Sequence, residues 1–255
     1  MMNATLRMMI VSGGLATLAL SSTALAQEAT VQGQVGMGLP GAAPQTATAT
    51  RAAGGTDHSL VVGHLGVGYL GRSQIQVGAP GGPGGSAAVA APIIGVRYWM
   101  DPTLGIDVGL GFGFDGGSNT NAGVDTDQPS HWAFLLHGGV PLALAAGRHY
   151  TFEIVPEANV GFGGGSATVN GVDISNKGFM LDLGARVGSE IQFGFMGIPE
   201  LALQASVGAL FATSSASSTP DGGGKVSQSQ TSFRTTVYNS PWAIFSSNVA
   251  ALYYF

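Results

Sequence analysis

The sequence predicts an all-β protein, an up-and-down antiparallel β-barrel of eight strands built to cross a membrane. Three observations carry this: strict two-residue alternation over most of the chain, a shortage of charge, and connections that alternate between long and short. The alternation is clearest in Ile94–Phe114, IGVRYWMDPTLGIDVGLGFGF. Ile94, Val96, Tyr98 and Met100 share one face against Gly95, Arg97 and Trp99. Ile106, Val108, Leu110, Phe112 and Phe114 share one face against Asp107, Gly109, Gly111 and Gly113. Period two is the signature of a strand, because successive side chains leave a pleated backbone on opposite sides. Asp101-Pro102-Thr103 supplies turn chemistry between the two runs. The hairpin therefore has one wholly apolar face and one of glycine with a few charges. A soluble β-sandwich is the alternative fold for such a ribbon.

Composition favours the membrane barrel over the sandwich. Only 9% of the 255 residues are charged, 42 are glycine, and the mean hydropathy is +0.29. An ordinary domain carries roughly 25% charged residues. Outside the N-terminus no stretch approaches the ~20 apolar residues of a membrane helix. A chain that is apolar without such helices spans lipid only as a closed barrel, since lipid leaves no partner for an open sheet edge.

Residues 1–26 have the form of a signal peptide. Arg7 is the basic start, Met8–Leu20 the apolar core and Ala24-Leu25-Ala26 the cleavage site. There is no cysteine, which excludes a lipoprotein, disulfides and thiolate metal sites. Removing Arg7 with the leader leaves eight of the nine basic residues against fourteen acidic ones, which argues against a nucleic-acid partner. Residues 27–57 are rich in Ala, Gly, Thr, Gln and Pro and are expected to be a flexible periplasmic segment.

The barrel is expected over residues 58–255. Strand one falls at roughly 59–71, followed by the Gly/Pro-rich connection RSQIQVGAPGGPGG. Strands two and three are the hairpin above. The long polar connection GGSNTNAGVDTDQPS leads to strand four, marked by Trp132, Phe134, Leu136 and Val140. The shorter PLALAAGR precedes strand five, in which Phe152, Ile154 and Val160 alternate with Glu153, Glu157 and Asn159. A second polar loop, GGGSATVNGVDISN, precedes strand six, with Leu181, Leu183 and Val187 on one face and Asp182, Arg186 and Glu190 on the other. GFMGIP is short, strand seven runs through Leu201–Phe211, and the longest loop, SSASSTPDGGGKVSQSQTS, precedes a last strand ending in Phe245, Ser247, Val249, Ala251, Tyr253 and Phe255. Long polar connections alternate with short ones, as in barrels with short periplasmic turns and longer outer loops.

The sequence at this point resembles the eight-stranded outer-membrane barrels of Gram-negative bacteria, the group containing the OmpA transmembrane domain, OmpX and OmpW. The resemblance covers Ser59–Phe255, with the C-terminus and the GVRYWMDPTLGIDVGLGFG hairpin as its most specific pieces. It implies location in the cell outer membrane and contact with outer-membrane lipid. It also implies that Val249, Tyr253 and the terminal Phe255 are an assembly signal read by the barrel assembly machinery.

Alternation places Arg97, Asp107, His137, Glu153, Glu157, Asp182, Arg186 and Glu190 in the lumen as a charge network. Reflecting the hairpin about Pro102 sets Arg97 opposite Asp107. Reflecting strand five onto strand six sets Arg186 near Glu153 and Asp182 near Glu157. Arg186 is then expected to be the central cation among several carboxylates. A small barrel fills its interior with side chains, so the network is expected to pack and pair ions. Carboxylates outnumber arginines, which makes a narrow cation-preferring pore the functional alternative. A lipid-modifying enzyme is the third reading. The adjacent pairs His58–Ser59 and Ser130–His131 put base and nucleophile on opposite faces of a strand, so no catalytic residue is assigned and the chain is expected not to be an enzyme. Neither a metal nor a cofactor is expected: the Asp125 and Asp127 loop is accounted for by turn chemistry. The expected role is structural or surface-interactive, with binding of a small apolar ligand as its most specific form.

Overall fold

The computed structural model describes residues 55–121, 124–237 and 248–255. The expected signal peptide, residues 27–54 of the expected periplasmic segment, and Phe245 and Ser247 of the expected last strand lie outside the described residues. Nearly everything described is antiparallel strand. A short helix α1 (Asp57–Val61) precedes β1 (Leu65–Val77), β2 (Ala87–Trp99), β3 (Gly105–Asp115), the small hairpin β4 (Ser118–Asn121) and β5 (Val124–Asp127), and β6 (Ser130–Gly139). Then come β7 (Leu142–Ala146), β8 (Tyr150–Val169), β9 (Val172–Phe193), β10 (Ile198–Pro220), β11 (Val226–Thr235) and β12 (Val249–Tyr254).

Each wall strand pairs with the next, and β1 pairs with β12 through Gly66↔Tyr254 to Tyr69↔Ala251, which closes the ring at eight positions. β7 continues the position of β6, and β11 and β12 share the eighth position, both pairing with β10. The stagger can be counted. From Val67 the register passes Val96, Val108, Gly138, Ala158 and Leu183 to Phe211 on β10. In the other direction Val67 meets Tyr253 and then Leu201, ten residues away on the same strand. A stagger of this size in an eight-position barrel tilts strands by roughly 40° and leaves an interior that side chains can fill.

Alternation does what the sequence demands of it. Ile94, Tyr98, Val108, Leu110, Phe112 and Phe134 point outward and are exposed, as are Tyr253 and Phe255 at the C-terminal end. Gly109 and Gly111 face inward. No helix among the described residues is long and apolar enough to cross a membrane.

Three expectations about connections are corrected. The expected strand at 59–71 begins at Leu65 and runs to Val77, because Thr56 caps α1 by accepting from Ser59 N at 3.2 Å and residues 57–61 become helical. The expected loop 163–176 is not a loop: β8 and β9 continue to a two-residue turn at Asn170-Gly171, with φ of 51° and 77°. Asn-Gly favours this turn because both central residues adopt positive φ, the geometry that matches strand twist. The expected longest loop is also mostly strand, since β10 reaches Pro220 and β11 returns from Val226 with only Asp221–Lys225 between them. Ser, Thr and Gln there are polar because those walls stand beyond the apolar belt. They are not polar for want of regular structure.

The outer end of β1 does not stay in the wall. It leans across the lumen until Ile75 and Val77 lie against Gly161 and Gly163 of β8. The Gln76 carbonyl faces Gly178 of β9 so closely that any side chain at Gly178 would collide with it. Ile75, Val77, Val89, Ile93 and Leu135 are buried there and form the apolar core of the outer half. Each such side chain stabilises by about 1.5–3 kcal/mol.

Candidate functional site: the lumen

The lumen has two parts. The half nearer the Asp101–Leu104 turn is built from inward positions of β2, β3, β8, β9, β10 and β12. Arg97 on β2 lies opposite Asp107 on β3, the pairing given by reflection about Pro102. Its guanidinium grips that carboxylate with Nε to Oδ1 and Nη2 to Oδ2, both at 2.7 Å. Nη1 donates to Glu190 at 2.6 Å and to Glu153 at 3.3 Å, and Nη2 donates to the Gln204 side chain at 3.1 Å. All these groups are essentially without solvent contact.

This corrects the expected centre of the network. Arg97, not Arg186, is the cation among several carboxylates. Arg186 pairs with Glu157 rather than Glu153, with Nε and Nη2 at 2.7 and 2.6 Å from one oxygen. Asp182 stands in register with Asn159 and lies diagonally from Glu157, whose charge acts on it, and its Oδ1 has no hydrogen-bond partner. The physical reason is reach. Reflection about a turn places backbones, but a guanidinium extends past its own rung. Arg97 therefore spans to β9 and β10 across the narrow lumen, whereas Arg186 leans to the adjacent strand. His137 binds Asn159 through Nδ1 at 2.7 Å, the next strand over on the same rung.

Below Arg97 the lumen is closed by side chains absent from the expected network. Trp99 Nε1 donates to the Tyr254 hydroxyl at 3.1 Å, and that hydroxyl donates to Glu190 at 3.2 Å. The Arg97 guanidinium lies 5.9 Å from the centre of the Trp99 ring, within cation–π range. Gln192 Nε2 donates to Glu190 at 3.0 Å. Helix α1 covers this layer. His58 stands edge-on to Trp99, with ring centres 4.5 Å apart, and its Nε2 meets the Pro102 carbonyl at 2.9 Å. Asp57 is fully buried and pairs with His149 Nδ1 at 2.5 Å. Alternation could have found Trp99 and Tyr254, because they are the inward residues on either side of β1. Nothing local to the sequence marks α1 as a plug.

The outer half holds an open cavity of about 610 Å³. It lies between the inward-leaning end of β1 and the wall formed by β9, β10 and β11. Glu157, Arg186, His137 and Asp182 line its inner end. Gln74 and Gln76 face it from β1, and Gln228 and Gln230 from β11. Among the described residues, no group of three or more metal-ligating side chains is placed to hold a metal ion.

No family model matches the chain, and no curated protein matches it. Among solved structures it is similar to a major outer membrane protein from Thermus thermophilus, at 16% identity over 75% of this chain and 98% of that one, with a TM-score of 0.37. At this identity and TM-score nothing about function follows from the likeness, and the barrel assignment rests on the register that closes the sheet.

Proposed function

We propose that the chain is a non-conducting, non-enzymatic outer-membrane barrel that holds a small ligand in its outer half, with a structural or surface-interaction role in the envelope. One observation carries this: the lumen is sealed at one end and hollow at the other. The seal is the Arg97 cluster with Trp99, Tyr254 and α1 beneath it, and the hollow is the 610 Å³ cavity, within the ~300–1,000 Å³ range of small-molecule sites. The outward apolar belt favours lipid as the surrounding medium, and Val249, Tyr253 and Phe255 suit the role of an assembly signal. The cavity's amide, hydroxyl and charged lining favours a polar or amphiphilic ligand over the purely apolar one expected from sequence.

A narrow cation-preferring pore is the second reading, favoured by the five lumen carboxylates, which exceed the four arginines Arg72, Arg97, Arg186 and Arg234 by one. An ion passing the lumen would have to break the Arg97 cluster, whose members hold one another at 2.6–3.3 Å. Planar-bilayer recording of the refolded protein tests the choice. No conductance step above background is expected, together with melting shifts for some members of a small-ligand library. A discrete cation-selective channel would overturn the proposal, as would a barrel extracted from membranes without detergent.

A further inference from the structure

Asp182 and Arg234 face the same cavity without pairing. Asp182 is 3% exposed, and its Oδ1 lacks a partner. Arg234 acts on it only as a more distant charge, with no ion pair between them. Asp182 is in register with Ala212, which is in register with Ser232, and Arg234 is the next inward residue on β11. The Cα atoms of the two charged residues are thus two strand spacings across and two residues along from one another, about 12 Å apart. Arg72 faces the cavity from β1, also without an ion pair among the described residues. The other charged pair at the inner end, Arg186 and Glu157, is satisfied within itself, and His137 is engaged by Asn159 through Nδ1, with no hydrogen-bond partner for its Nε2 among the described residues. The site therefore offers one carboxylate and, across a gap, one or two guanidiniums, none of them in an ion pair among the described residues.

The walls between these charges offer amide chemistry. Gln74 and Gln76 stand on one bank, Gln228 and Gln230 on the other. Both banks are also strand edges with a single partner strand among the described residues. Arg72–Val77 pairs only with β2, and Val226–Thr235 only with β10, among the described residues. Edges of this kind bind extended peptides through main-chain hydrogen bonds.

Resting on the reading of the cavity as a ligand site, we infer that it binds a short peptide with free termini, its ammonium on Asp182 and its carboxylate on Arg234 with Arg72. Three extended residues span about 10 Å, a length that fits between two residues so placed once their side chains reach into the cavity. Salt-bridged termini give the ends, and the glutamines and strand edges take the peptide groups.

Calorimetric titration of the refolded full-length barrel with trialanine, N-acetyl-trialanine and trialanine amide tests this. Trialanine is expected to bind, and blocking either terminus to weaken it about tenfold, the factor that 1.4 kcal/mol represents. Asp182→Asn is expected to abolish the penalty of acetylation while keeping that of amidation, and Arg234→Gln the reverse. Equal affinity for the three peptides, or none for trialanine, overturns the inference. If trialanine fails while other small molecules shift melting, the peptide inference falls and the ligand-site reading stands. The three-peptide comparison on the unaltered protein decides the matter even where a variant does not fold.

Discussion

Replacing Arg97 with Met tests the central feature of the lumen. Met keeps most of the side-chain length and removes the charge. The change deletes two 2.7 Å bonds to Asp107, the 2.6 Å bond to Glu190, the 3.3 Å bond to Glu153 and the 3.1 Å bond to Gln204. Three carboxyl groups with at most 1% exposure are left without their cation. Breaking a buried ion cluster in this way costs about 3–5 kcal/mol, or roughly two to three and a half powers of ten in the folding equilibrium. Changing Arg97→Met together with Asp107→Leu, Glu153→Met and Glu190→Met removes the orphaned charges as well and is expected to recover most of the loss, because apolar replacement of a whole buried cluster is often neutral. The assay is urea-dependent refolding into lipid vesicles, followed by heat-modifiable gel migration. A single variant within ~0.5 kcal/mol of the parent, the range of surface substitutions, would falsify the claim that Arg97 organises the sealed half.

Other perturbations probe other levels of the structure. Leu110→Arg is expected to cost about 2–4 kcal/mol in a bilayer, the range for a charge on the lipid face at mid-depth. The same refolding assay would show almost no change if this face met water. Gly178→Val drives a side chain into the Gln76 carbonyl and should destabilise by about 1–3 kcal/mol, whereas Gly224→Val, with open space around it, should be near neutral. Asp101 accepts hydrogen bonds from the Thr103 hydroxyl and amide and from the Leu104 amide, and these, the hydroxyl foremost, hold its carboxyl below the ordinary value. A depressed folded-state value gives stability that is present above the unfolded value of about 4 and is lost as pH falls through the folded one. Melting temperature measured between pH 2 and 5 should therefore fall less steeply for Asp101→Ala than for the parent, and identical slopes would remove the turn from the account.

Much of the architecture is legible in local pattern. Alternation over residues 94–114 assigns Arg97 and Asp107 to the interior and Leu110 and Phe112 to the outside, because a pleated strand leaves no other choice. The turn at Asp101 is equally local, since its carboxylate bonds amides two and three residues away. Strand ends are less legible. Ser214–Ser218 and Gly163–Gly165 look like loop by composition, yet they are strand because each finds a neighbour, β11 and β9 for the first and β6 and β9 for the second. The Asn170-Gly171 pair does carry the needed signal.

Sequence alone pointed to the barrel class, the face of the strand residues it assigned, and most of the charges inside, though not Arg72 and Arg234 at the cavity. Those depend on interactions a few residues apart and on a period of two. Only the tertiary structure decided which charges meet, that α1 plugs one end, and that β1 leans inward to leave a cavity on one side. Arg97 reaches Glu190 across 93 positions of chain, and Trp99 reaches Tyr254 across 155. Such contacts follow from the ten-residue stagger and from side-chain reach across a narrow lumen, which become defined only when the last strand closes on the first.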